Sequence, residues 1–116
     1  MTRPLDIDRI GDAAKHIDPV FLETPLLGRT VVDADLGCEL LFKIETLNPI
    51  RSFKGRGAEL FAATELTAGT PVVCASAGNF GQALAYAAGR PGHACTACLP
   101  SGIQTERTDT IADGHF

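Results

Sequence analysis

The chain has 116 residues, 45% of them hydrophobic, with ten basic and fourteen acidic side chains and a formal charge of -4. A chain of this size buries about two-thirds of its unfolded surface, enough for one core. The acidic balance and scattered basic residues argue against nucleic-acid or acidic-membrane binding. The apolar runs are too short to span a bilayer, and the charged start MTRPLDIDRIGD is unlike a secretory leader, so a cytoplasmic location is expected.

Ile7, Ile10, Ala13, Ala14 and Ile17 fall at helical spacing and predict a first helix with one apolar stripe, whose exit is bracketed by Pro19 and Pro25. Glu39 to Glu45 (ELLFKIE) alternates as a strand does, with Leu40, Phe42 and Ile44 on one face and Leu41 and Lys43 on the other, and Asn48-Pro49 ends it. Lys54 then lies in a polar, glycine-flanked turn. The run AELFAATEL after it predicts a helix with Ser52 as N-cap and a buried face of Ala58, Leu60, Phe61, Ala62 and Leu66. Lys54 is thereby placed in the first turn of that helix. The positive end of the helix dipole disfavours an ammonium there, Arg51 and Arg56 act in the same direction, and packing on Phe53 would add to it. Such an amine suits attack on a carbonyl, although the pattern by itself also suits a solvated lysine in an anion-attracting loop.

Ala68 to Pro71 breaks the helix, after which Pro71 to Ser76 reads as a short buried strand, Ala77 to Gly81 as a tight loop and Gln82 to Ala88 as an alanine-rich helix. Backbone N–H groups of such a strand-to-helix turn, from Ser76 to Phe80, form a cradle for a carboxylate or phosphate. Gly89 to Gly92 is a turn, and Ala94 to Leu99 a second strand, far enough along the chain for a helical crossover and hence a right-handed βαβ unit. Thr105 to Asp113 is a candidate last helix with Gly114 as its stop.

Cys95 and Cys98 form a C-x-x-C with His93 just before it, but on a strand residues three apart face opposite ways and no second ligand pair is present. With Cys38 and Cys74 isolated, the cysteines are read as buried small apolar residues, and no metal site is expected. His16 reads as a solvated helix-end residue. Glu45 and Glu59 have no partner carboxylate at a spacing suited to paired acid–base work.

Taken together, Asn48-Pro49, then Ser52-Phe53-Lys54, then Arg56-Gly57-Ala58 resembles the cofactor-lysine segment of the fold-type II pyridoxal phosphate enzymes, nearest the threonine and serine dehydratase branch. Gly55 and Arg56 after the lysine favour dehydratases and related racemases, since cysteine and threonine synthases usually carry an acidic residue and arginine there. Thr24-Pro25-Leu26-Leu27 is similar to an early segment of the same family, and Ser76 to Gln82 (SAGNFGQ) to its substrate-carboxylate loop. The resemblance implies that Lys54 carries pyridoxal 5'-phosphate as a Schiff base and acts as the base at the substrate's α-carbon. Phe53 would pack on the cofactor ring and Asn79 would bind its phenolic oxygen, while Ser76 and the backbone of Ala77 and Gly78, with Asn79, would hold the amino acid. Phe80 stands where dehydratases and serine racemases commonly have histidine.

The implied fold is α/β, part of an open parallel sheet with flanking helices. Residues 1–69 would belong to the cofactor-lysine lobe and 70–116 to the beginning of the substrate lobe. The family's glycine-rich phosphate loop comes later in its order, so a fragment of a longer enzyme or a naturally truncated relative is expected. The implied activity is an ammonia-lyase removing water and ammonia from a hydroxy amino acid such as threonine or serine, in a possible homo-oligomer. Racemisation and β-substitution remain alternatives within the family. Outside that group of activities, the alternative is a catalytically silent self-association module.

Overall fold

The computed structural model describes residues 5–76, 78–98 and 101. Ala77, the end of the second predicted strand at Leu99 and the predicted helix from Thr105 to Asp113 lie outside the described residues. Helix α1 (Ile7–Ala13) starts where Asp6 Oδ1 accepts the N–H groups of Asp8 and Arg9 at 3.1 and 3.2 Å, and Ala14–His16 continues it as a 3-10 turn. The expected apolar stripe is not covered along α1: Ile7 and Ile10 are exposed, and Ile17, beyond the helix, is the member that packs on the core. Helix α2 (Pro19–Leu22) is capped by Asp18, whose Oδ1 accepts Val20 N–H at 2.9 Å, with Pro19 at the position that needs no donor.

The stretch expected as one strand from Glu39 to Glu45 is mostly not a strand. Strand β1 (Leu26–Leu27) and, beyond a short helix α3 (Val32–Leu36), strand β2 (Phe42–Lys43) pair antiparallel, with Leu26 opposite Lys43 and Leu27 opposite Phe42. β1 offers only two residues to the ladder, and the chain then turns through a 3-10 segment, Glu45–Leu47, that aims Glu45 inward. Helix α3 was not foreseen, although Gly37 in the left-handed conformation just after it is an ordinary C-terminal stop.

Helix α4 (Lys54–Glu65) begins at the lysine, with Phe53 in the cap position. Ser52 serves the helix from one residue further back, its Oγ accepting Lys54 N–H at 3.3 Å. The buried face is Gly55, Ala58, Glu59 and Ala62, a run of i, i+3, i+4 and i+7, whereas Phe61 is exposed and Leu60 half-buried. Small residues occupy this face because α4 packs against helix α5 (Asn79–Gly89) through Ala83 and Ala87, and close approach of two helices leaves no room for larger ones.

Strands β3 (Val72–Ala75) and β4 (Cys95–Cys98) pair in parallel, Val72 opposite Cys95 and Cys74 opposite Ala97, with α5 as the crossover. The short parallel sheet with flanking helices is therefore as expected. β3 is half-buried, with Val72 and Cys74 inward and Val73 and Ala75 exposed. One core cluster joins Phe21, Ile50, Ala58, Ala62, Ala83 and Ala87; a second joins Val72, Cys74, Leu84 and Ala88.

The cysteines correct one expectation. Cys74 is buried and Cys95 half-buried, but Cys38 and Cys98 are exposed. Cys95 and Cys98 do face differently along β4, and no metal-holding group occurs among the described residues. Burial pushes the Cys74 and Cys95 thiols up, which makes them poor nucleophiles. His93 is buried, with Nδ1 3.2 Å from the Thr70 carbonyl oxygen.

Candidate functional site

The turn before Lys54 is held by one buried side chain. Asn48 is 4% exposed; its Nδ2 donates to the Ser52 carbonyl at 2.8 Å while its Oδ1 accepts Ser52 N–H at 3.2 Å. The Asn48 carbonyl accepts Arg51 N–H at 2.9 Å, and Arg51 adopts a φ of 53°, so the chain reverses tightly before the helix. Glu45 fastens this loop to its surroundings, accepting from Thr24 Oγ1 at 3.2 Å, from Asn48 Nδ2 at 3.2 Å and from Arg56 Nη2. Arg56 Nε also donates to the Phe21 carbonyl at 2.9 Å. Arg51, Lys54 and Arg56 are neighbours in the chain, but Arg56 is committed to Glu45 and to the backbone. Sequence reasoning set Glu45 aside for want of a second carboxylate; the useful signal was an arginine eleven residues on.

Lys54 itself is exposed at the first residue of α4. The chain's other two lysines are engaged: Lys15 Nζ pairs with Asp12 at 2.6 Å, and Lys43 Nζ donates to the carbonyls of Leu22 and Thr24 at 2.7 and 2.6 Å. Among the described residues the Lys54 amine meets no carboxylate or carbonyl, and its neighbour is the Phe80 ring, with the centroid 6.0 Å away. Phe53, next to it in the chain, is exposed. A lysine with no competing acceptor, on a rigid turn, can approach an aldehyde.

Phe80 comes from the second motif, so the fold brings the two motifs together. Ser76 follows β3, and its Oγ accepts the N–H groups of Gly78 at 3.3 Å and Gly81 at 3.1 Å. This hydroxyl starts α5 three residues earlier than expected, which moves Asn79 and Phe80 from the loop into the helix's first turn. The Gly78 N–H, expected to point freely out of the turn, is taken by Ser76. A Cβ on Gly81 would lie 2.8 Å from the Ser76 carbonyl oxygen, so the motif's second glycine is a packing requirement.

A family model described as pyridoxal-phosphate dependent enzyme matches residues 17–113, a span that includes the lysine turn and the Ser76 turn. The chain belongs to this family.

Its relatives carry names of several reactions. Threonine synthase of Mycobacterium tuberculosis is 39% identical over 80 residues, covering 68% of this chain and 22% of that protein. The biosynthetic L-threonine dehydratase of Mycobacterium leprae is 36% identical over 112 residues, covering 95% of the chain and 26% of the relative. Among solved structures, serine racemase of Dictyostelium discoideum superposes with a TM-score of 0.78 at 31% identity, over 96% of this chain and 38% of that one. Maize serine racemase gives 0.78 at 30% identity, over 98% and 36%. The chain thus spans between about a fifth and two-fifths of the relatives it matches.

In this pyridoxal-phosphate enzyme chain the far end of α5 is clamped to α2 and α4. Arg90 Nη1 lies 2.6 Å from Asp18 Oδ2 and 3.1 Å from Glu59 Oε2, and the Phe21 and Tyr86 rings meet edge-on at 5.5 Å. A cavity of about 570 Å³ beside this clamp is lined by His16, Asp18, Glu59 and Arg90, away from Lys54. The Asp18 carboxyl is held below its usual range, first by the Val20 N–H and then by Arg90, against opposing burial. A depressed folded pKa means stability that is present above the unfolded value of about 4 and lost as pH falls through the folded one. Asp18→Asn should therefore flatten the acid limb of a stability-versus-pH curve below about pH 4, measured by urea unfolding at stepped pH.

Proposed function

We propose that the chain supplies the lysine half of a pyridoxal phosphate-dependent ammonia-lyase acting on a hydroxy amino acid such as threonine or serine, within a longer enzyme. The observation that carries this is the Lys54 amine, without a polar partner among the described residues while Lys15 and Lys43 are bonded. The residues present fit the cofactor: Lys54 would hold it through the amine, Phe53 would lie against the ring and Asn79, on the first turn of α5, would bind its phenolic oxygen. Bound pyridoxal phosphate supplies an electron sink for the carbanion formed at the substrate α-carbon. Lys54 would take the α-proton on Nζ. Ser76, Ala77 and Gly78 would receive the substrate carboxylate, the Gly78 N–H by giving up its 3.3 Å bond to Ser76 Oγ, while Ser76 keeps its own hydroxyl proton as a donor. The dehydratase reading is supported by the match along 95% of the chain to a threonine dehydratase, and Gly55 and Arg56 after the lysine support it together with the related racemases. On this reading the lobe boundary would fall between residues 69 and 70, with Lys54 and Asn79 on opposite sides of the site.

The test is to mix the chain with pyridoxal phosphate, reduce with borohydride and find the modified lysine by peptide mass. Label concentrated on Lys54 and lost in Lys54→Arg is expected. Label shared evenly with Lys15 and Lys43 would favour a catalytically silent chain.

A further inference from the structure

Lys54 has an unusual companion for a reacting amine. Its Nζ stands over the phenyl ring of Phe80, 6.0 Å from the centroid, and Phe80 is 44% exposed, so that the ring still faces solvent where a ligand would arrive. Phe53, adjacent in the chain, is 67% exposed. Neither ring can accept or donate a conventional hydrogen bond. A polar side chain brought against such a surface would lose water without gaining a partner, whereas an apolar or aromatic one gains contact and ring–ring attraction. The position of Phe80 is also well determined. It follows Asn79 on the first turn of α5, which is fixed at one end by Ser76 Oγ and at the other by the Arg90 clamp.

We propose that Phe80 is a specificity-determining residue, presenting an aromatic wall at the Lys54 amine that selects ligands with an apolar or aromatic side chain over those with a short polar one. This rests on the reading of Lys54 as the carbonyl-binding amine. On the hydroxy amino acid reading, it favours a substrate whose β-carbon carries an apolar group over serine.

The test uses two small aldehydes, phenylacetaldehyde and glycolaldehyde, each with cyanoborohydride. The lysine nitrogen attacks the carbonyl carbon and water leaves; hydride from the reductant and a proton from solvent then give a stable secondary amine. Both products are counted by peptide mass at Lys54 and at Lys15, and the Lys15 ratio in the same tube removes the aldehydes' intrinsic reactivity. The phenylacetaldehyde preference at Lys54 should exceed that at Lys15 by roughly three- to tenfold, the range of one aromatic contact. Phe80→Ser should reduce it to the Lys15 value and Phe80→Tyr should retain it. Equal ratios at the two lysines, or a preference unchanged in Phe80→Ser with unaltered circular dichroism, would overturn the proposal. Pyridoxal phosphate labelling of Lys54 alongside equal ratios would reject the role of Phe80 while leaving the cofactor reading intact. A skewed ratio without cofactor labelling would do the reverse.

Discussion

Gly55→Ala should destabilise the chain by about 2 kcal/mol, while Gly57→Ala, two residues along the same helix, should stabilise it by up to about 1 kcal/mol. Both changes raise intrinsic helix propensity by about 0.8–1 kcal/mol, so their difference reports packing alone. A Cβ on Gly57 meets nothing within 4 Å. A Cβ on Gly55 would stand 2.5 Å from Phe21 Cδ1, and nearer still to Cε1. The Phe21 ring has nowhere to go: it is fully buried, wedged edge-on against Tyr86, and its carbonyl is held by Arg56. Overpacking costs of about 1–3 kcal/mol, toward the upper end for an immobile ring, therefore exceed the propensity gain. Urea unfolding of the two variants measures the contrast. Phe21→Leu combined with Gly55→Ala should recover part of the loss, because the two sites are in contact and their effects do not add. Equal stabilisation by both alanines would show that Phe21 does not pack on Gly55.

The lysine turn and the strand–helix–strand unit were legible because each is written in local signals: Asn-Pro, Ser-Phe-Lys and the glycines for the turn, and a period change at Ser76 for the unit. The buried face of α4 was misread for a physical reason. Hydrophobicity ranks Leu60 and Phe61 above Gly55 and Glu59, but the neighbouring helix selects for size, and Glu59 is buried because Arg90 lies 3.1 Å from its carboxylate. Arg90 is 31 residues away in the chain, a separation that no window-based pattern reaches. The same applies to the strand expected from Glu39 to Glu45: alternation described the residues, and the partner strand's two-residue length decided how many could pair. At the candidate site, the motifs pointed to Lys54 and Asn79. The placement of Phe80 against the amine required α5 to begin early, and this depends on a serine hydroxyl accepting two N–H groups.

Glu45→Ala should cost about 2–3 kcal/mol, and its effect should be concentrated on the lysine turn. The carboxylate is mostly buried, and three donors converge on it: Thr24 Oγ1, Asn48 Nδ2 and Arg56 Nη2. Removing it leaves the guanidinium of Arg56 half-buried with the Phe21 carbonyl as its remaining acceptor, and frees Asn48 from one of the bonds that set its amide. Arg56 is partly solvated, which keeps the cost below the roughly 3–5 kcal/mol of a fully buried broken pair. Arg56→Ala leaves the carboxylate without its countercharge, with Thr24 Oγ1 and Asn48 Nδ2 as its donors, so Glu45→Ala/Arg56→Ala should be less destabilising than the sum of the single changes, with a coupling of about 1–2 kcal/mol. Hydrogen exchange distinguishes a local from a global effect. The Ser52 amide, bonded to Asn48 Oδ1, should exchange faster in Glu45→Ala by more than the loss of global stability explains, while the Val72 amide, bonded to Ala94 in the distant parallel sheet, should follow global unfolding alone. If both amides accelerate equally, Glu45 stabilises the whole fold and does not specifically hold the turn that carries Lys54.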